Sequence, residues 1–214
     1  MPNTYWDPSM EYEESLNYAT GVVIAWGYPE HFADVFLEDN DPSSLSKLTP
    51  DFCRDQFKIA IHDTYVRVPQ GLILDIIDTY ILQISWSDIR EASRLRVLGY
   101  DHPTDDPDYD EDSYSSFSSR NVQTEFRSAI SARIQSSDYP ESLAAHFLNE
   151  SPKLGREQFT DEYVRNHFLA LLEESKKALG NGLLVDFLTN SEHLIDVKVV
   201  RNKALKLLQK LSRG

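Results

Sequence analysis

Six histidines, one cysteine and an excess of carboxylates are the side chains of this 214-residue chain with the types to do chemistry. No histidine has a glutamate three residues before it, and no two stand four apart. Those spacings are what bundle-type di-iron sites and helical HExxH zinc sites require, so both chemistries are excluded. Cys53 is the only cysteine, which rules out an intrachain disulfide and a thiolate zinc site. It lies in TPDFCRDQF with no neighbouring base, the setting of a small buried apolar side chain rather than an activated thiol. The glycines never form a phosphate-cradling loop. Asp75 and Asp78 fall on one predicted helix, where they are expected to solvate its outer face.

The densest group of carboxylates is Tyr100–Ser119, YDHPTDDPDYDEDSYSSFSS, with seven acids, two prolines and no basic residue before Arg120. Asp106, Asp108, Asp110 and Asp112 alternate, as in a calcium loop. A calcium loop starting at Asp106 needs glycine at its sixth position and glutamate at its twelfth, and these hold Glu111 and Phe117. The segment is therefore not an EF-hand.

Two arrangements resemble known helical enzymes. His31, followed by His62-Asp63 at the end of the apolar run KIAIHD, resembles the H…HD…D outline of HD-type metal-dependent phosphohydrolases. That resemblance implies a metal held by His31, His62 and Asp63, with a later aspartate such as Asp88 completing the set. Arg96 and His102 stand in an R-x5-H spacing that resembles HEPN-type ribonucleases. Against the second, Gly99 interrupts the spacing, and the surrounding acidity opposes an RNA backbone.

Charge separates the chain into unlike halves. The formal net charge is −14. Residues 1–112 carry 23 acidic and 7 basic side chains, a balance of −16, whereas residues 113–214 carry 12 acidic and 14 basic ones, a balance of +2. A field of this sign opposes binding to duplex nucleic acid and favours a basic protein partner. Within the acidic segment, aromatic side chains are interleaved with the acids, a composition suited to an interface. The expected partner-binding residues are Asp101, Asp105, Asp106, Asp108, Tyr109, Asp110, Glu111, Asp112 and Tyr114.

The elements that must position these residues are helices. Apolar residues recur at helical spacing over about 9–26, 29–37, 50–65, 71–86, 88–98, 122–136, 139–148, 161–179, 183–188 and 195–211. Thr49-Pro50-Asp51 and Thr160-Asp161-Glu162 are helix openings, and Gly99 and Gly180 are stops. Thr64–Val68 alternates apolar residues and reads as a short extended piece. The last helix turns Val197, Val200, Ala204, Leu207, Leu208 and Leu211 inward and carries Lys198, Arg201, Lys203, Lys206 and Lys210 outside. No apolar run approaches the ~20 residues of a membrane span. The N-terminal MPNTYWDPSMEYEE is polar and acidic rather than signal-like, so a cytoplasmic location is expected.

The expectation is an all-α, multi-helix globular bundle of about 8–10 helices with a long acidic loop near 100–119. It forms one helical domain, with possible subdomains 1–99 and 120–214 joined by the acidic segment. Functionally it reads as a non-enzymatic acidic protein, immunity- or inhibitor-like, that blocks a basic partner, without cofactor or membrane. One alternative is the HD-type hydrolase. The other is a structural or regulatory protein whose acidic loop docks on its own basic C-terminal helix.

Overall fold

The computed structural model describes residues 18–100, 106–107, 119–150 and 156–211. All secondary structure among them is helical: α1 (Tyr18–Ala25), α2 (Tyr28–Asp39), a 3-10 turn (Pro42–Lys47), α3 (Pro50–Tyr65), α4 (Leu72–Gln83) and α5 (Trp86–Val97) precede the acidic segment. After it come α6 (Ser119–Ser136), α7 (Tyr139–Glu150), a 3-10 turn (Arg156–Gln158), α8 (Asp161–Leu179), α9 (Leu183–Ser191) and α10 (Val197–Leu211). The all-α expectation holds. No helix among the described residues is long and apolar enough to cross a membrane.

Local sequence explains several helix ends. The Thr49 hydroxyl accepts from Phe52 N (3.1 Å), and Thr160 Oγ1 accepts from Tyr163 N (3.1 Å), so both predicted caps satisfy an otherwise orphaned donor. At the end of α5, Gly99 takes φ of 81°; its N–H bonds the Arg96 carbonyl, and Tyr100 N–H bonds that of Leu95. This is a Schellman closure, which needs the left-handed conformation glycine adopts most readily. Residues 64–68 are not extended. Helix α3 runs through Tyr65 and ends in a turn, with Arg67 N bonding Thr64 O and Val68 N bonding Tyr65 O. Local hydrogen bonds satisfy the backbone there, as an isolated strand could not. Of the helix expected over 9–26, Tyr18–Ala25 is observed and residues 9–17 lie outside the described set.

The chain packs as two compact units. One comprises Met1–Asp63 and Gln83–Phe126, the other Thr64–Leu82 and Arg127–Gly214. A division into 1–99 and 120–214 would instead cut once, at the acidic segment.

In the first unit, α1, α2 and α5 pack together. Ala19, Val23, Phe32, Phe36, Phe57 and Ile89 are buried. Phe57 meets Trp86 edge-on (centroids 5.3 Å) and Tyr28 at 5.2 Å. Thr20 is buried on α1, and its hydroxyl accepts from Ser85 N across 65 positions of sequence (2.9 Å).

The second unit is built on α7, α8, α9 and α10, joined by α4. Tyr80 of α4 explains that membership. It is fully buried, and its ring stacks on Phe187 of α9 (centroids 4.6 Å, planes 9° apart). Its hydroxyl accepts from Asn190 Nδ2 (2.8 Å) and Ser191 Oγ (3.2 Å). Ile73, Ile76 and Ile77 bury the same face of α4. On α10, Val197, Val200, Ala204 and Leu208 are buried as the apolar stripe predicts, with Leu207 half-buried.

Asp75 and Asp78 do more than solvate the outer face of α4. Arg133 Nη2 pairs with Asp75 Oδ1 (2.5 Å), and Tyr65 Oη donates to Asp78 Oδ1 (2.5 Å). Burial, reinforced by the Asp78 carboxylate, pushes the Tyr65 phenol up to about 12. Both acids are half-buried, so partners replace the water they lose.

Candidate functional site

The acidic segment is the site to which the sequence assigns partner binding. Of its nine candidate residues, Asp106 is described, and Asp101, Asp105, Asp108, Tyr109, Asp110, Glu111, Asp112 and Tyr114 lie outside the described residues. Asp106 is only 7% exposed, and its Oδ2 accepts from Arg94 Nη2 at 2.5 Å. Within the nine, this side chain therefore anchors the segment to the protein.

Helix α5 supplies the anchor. Its sequence WSDIREASRLRV turns Ile89, Ser93, Leu95 and Val97 into the core, leaving Arg90, Glu91 and Arg94 on a half-buried rim. Glu91 takes both arginines, with Arg90 Nη1 at 2.9 Å and Arg94 Nε at 2.6 Å. Arg90 Nε also donates to the Leu48 carbonyl (3.0 Å), tying α5 to the start of α3. Burial opposes the charge on Arg94, but hydrogen bonds to Asp106 and Glu91 outweigh it and hold the guanidinium above its ordinary range. Charge-assisted bonds of this length are the strong ones.

The other cations nearby are also engaged. Arg96 pairs with Glu30 (2.7 Å) and donates to the Tyr100 carbonyl (3.3 Å). Arg54 pairs with Asp51 (2.7 Å), and Lys58 with Asp55 (3.1 Å). Lys47 donates to Asn40 Oδ1 (3.1 Å). By contrast, Asp34, Glu38 and Asp39 of α2 and the following Asp41 are exposed and make no ion pair among the described residues. Residues 31, 34 and 38 share one helix face, which also brings exposed His31 beside these acids. Leu37, 39% exposed, lies next to them.

The HD-type arrangement is not assembled among the described residues. His31, His62 and Asp63 are all exposed, and with Asp88 they belong to no metal-holding group of three or more such side chains among the described residues. Arg96 is tied to Glu30 and the backbone, while His102 lies outside the described residues. Cys53 is buried, and burial pushes its thiol up to about 11, against weaker opposition from Ser93 and Arg90. A thiol with that pKa is not a nucleophile near neutrality.

In the second unit a cleft of about 650 Å³ opens between the starts of α8 and α10. It mixes Asp161, Glu162 and Asp196 with Arg165 and Lys198 and so has no single sign of charge. The basic side chains of α10 are partly occupied. Arg201 Nε donates to the Phe159 carbonyl (2.6 Å) and lies 3.6 Å from Asp161, while Lys203 Nζ donates to the Gln135 carbonyl (2.6 Å).

Among the relationships not read from the sequence are the Arg94 anchor of Asp106 and a contact between His146 and His167. The first had no signal, because packing alone buries Asp106 against the rim of α5. The second had none, since the two histidines are far apart in sequence. Comparison of the chain with protein-family models, with curated proteins and with solved structures gives no match.

Proposed function

We propose that this protein is a non-enzymatic binding protein that presents carboxylates to a basic surface of a partner protein, in the manner of an inhibitor or immunity protein. The observation that carries this reading is the group Asp34, Glu38, Asp39 and Asp41: exposed, without ion pairs among the described residues, and set in a half-chain of net charge −16. Arg54, Arg94 and Arg96 pair with other carboxylates, and among the described residues no cation forms an ion pair with these four acids, although Lys47 donates to the adjacent Asn40. Uncompensated charge of one sign steers an oppositely charged protein to the surface and discourages wrong partners. The acidic residues of 101–112 belong to the same half-chain. A partner that acts on nucleic acid fits best, because its basic groups are already arranged for phosphate.

The test is titration against a panel of purified basic nucleic-acid-acting proteins at low and high salt, with the triple variant Asp34→Lys, Glu38→Lys, Asp41→Lys alongside. Binding that weakens steeply with salt and falls roughly tenfold or more in the variant is expected. Affinity insensitive to both salt and charge reversal would sink the reading.

Asp106 favours a second reading, in which the acidic segment is a structural element held on the body of the protein. The observed anchor is Arg94 on α5. Deleting residues 103–116 separates the two readings. Lost stability with partner binding retained assigns the segment to the fold, whereas retained stability with lost binding assigns it to the interface.

A further inference from the structure

In the second unit, the cleft of about 650 Å³ between the starts of α8 and α10 falls within the roughly 300–1,000 Å³ of small-molecule sites. Leu194, Ile195 and Val197 give it an apolar wall, and charged side chains of both signs stand around that wall. Two of its acids are already committed inside the protein. Asp161 lies 3.6 Å from Arg201, which also donates to the Phe159 carbonyl (2.6 Å). Asp196 accepts from Val199 N (3.1 Å) and so caps α10. Glu162, Arg165 and Lys198 are not committed. All three are exposed, and none forms an ion pair or a side-chain hydrogen bond among the described residues. Glu162 and Arg165 stand three apart on α8, the spacing at which Asp51–Arg54, Asp55–Lys58 and Glu91–Arg94 do pair. Here the two heads are left for a third group.

We infer that this cleft binds a small zwitterionic molecule on an apolar frame, the chemistry of a free apolar amino acid or a short peptide. The balance of uncommitted charge selects that class. A simple anion gains Arg165 and Lys198 but meets Glu162, and a simple cation gains Glu162 but meets two positive groups. A ligand of both signs satisfies all three, and like-charge contacts disfavour the others. The Arg165 guanidinium suits a carboxylate through two parallel bonds, Lys198 adds a point charge, and Glu162 accepts from an ammonium. Half-buried Leu194 offers most of the apolar contact, since Ile195 and Val197 are each only 8% exposed. The site uses none of the α2 acids and is independent of the partner-binding reading.

The experiment is calorimetric titration of the full chain with leucine and leucyl-leucine, and with N-acetyl-leucine and leucinamide, which each keep one charge. Saturable binding of a zwitterion is expected, about tenfold tighter than of either singly charged compound. Arg165→Ala weakens the zwitterion and N-acetyl-leucine about tenfold and leaves leucinamide unchanged. Glu162→Gln does the reverse, weakening the zwitterion and leucinamide. Both residues are exposed, so an unchanged Tm is expected in each variant. Lys206→Ala, on α10 but outside the cleft, leaves binding as it was. Tighter binding of leucyl-leucine than of leucine assigns the site to peptides, and the opposite order assigns it to free amino acids. No saturation with either zwitterion overturns the site. Saturation untouched by Arg165→Ala or by Glu162→Gln, or weakened equally by Lys206→Ala, overturns it as well.

Discussion

Arg94 donates to the buried carboxylate of Asp106 at 2.5 Å while a second of its nitrogens holds Glu91 at 2.6 Å. One guanidinium thus joins a helix of the first unit to the only described acidic residue of the segment 100–119. Removing one partner of a buried pair leaves the other without its counter-charge, which costs ~3–5 kcal/mol. Asp106→Asn keeps a hydrogen-bonding side chain and leaves Glu91 on Arg94, so its cost falls at the low end of that range. Arg94→Met orphans Asp106 and costs more. Urea unfolding of both single variants and the double variant checks this, with a coupling energy near zero as the contrary result.

Gly99→Ala is expected to destabilise the protein by about 1 kcal/mol. A Cβ at Gly99 meets no atom within 4 Å, so the penalty comes from φ of 81° rather than from a clash. A left-handed residue with a side chain costs ~1–2 kcal/mol relative to glycine. An unchanged urea midpoint in Gly99→Ala would contradict the Schellman closure.

Tyr80 couples α4 to α9 by stacking and by its hydroxyl, and substitutions separate the two contributions. Tyr80→Phe keeps the stack on Phe187 and removes the acceptor for Asn190; Ser191 Oγ retains the Phe187 carbonyl at 2.9 Å. A loss of about 1–2 kcal/mol is expected. Tyr80→Ala also empties a fully buried site and loses about 3–5 kcal/mol. Equal losses in the two variants would show that the stack contributes nothing.

Cys53 gives a pH dependence with a defined sign. Its folded thiol ionises near 11 and an unperturbed one near 9.0. Between those values the unfolded chain releases a proton that the folded chain keeps, so this group's contribution to stability is lost as pH rises from about 9 to about 11. Cys53→Ala flattens that part of the stability profile. In native protein at pH 8, thiol reagents react slowly, and rapid labelling without denaturant would show the thiol to be accessible.

Helix openings and stops were legible along the chain because their chemistry is local. Thr49 and Thr160 cap, and Gly99 closes a helix, through atoms three to five residues away. The inward stripes of α4 and α10 followed from helical periodicity alone. Partners distant in sequence were not legible, because only packing brings them together. Asp106 reads in the sequence as one acid of the partner-binding segment, and packing pairs it with Arg94. Asp75 and Asp78 read as solvated until Arg133 and Tyr65 met them, and Tyr80 gave no sign of reaching Asn190 and Ser191, 110 and 111 positions away. The same holds for histidines. Spacing rules see two imidazoles on one helix, and His146 and His167 lie on two. Helical periodicity set the helical class and composition the sign of the field, while tertiary packing decided which of the described charges are paired.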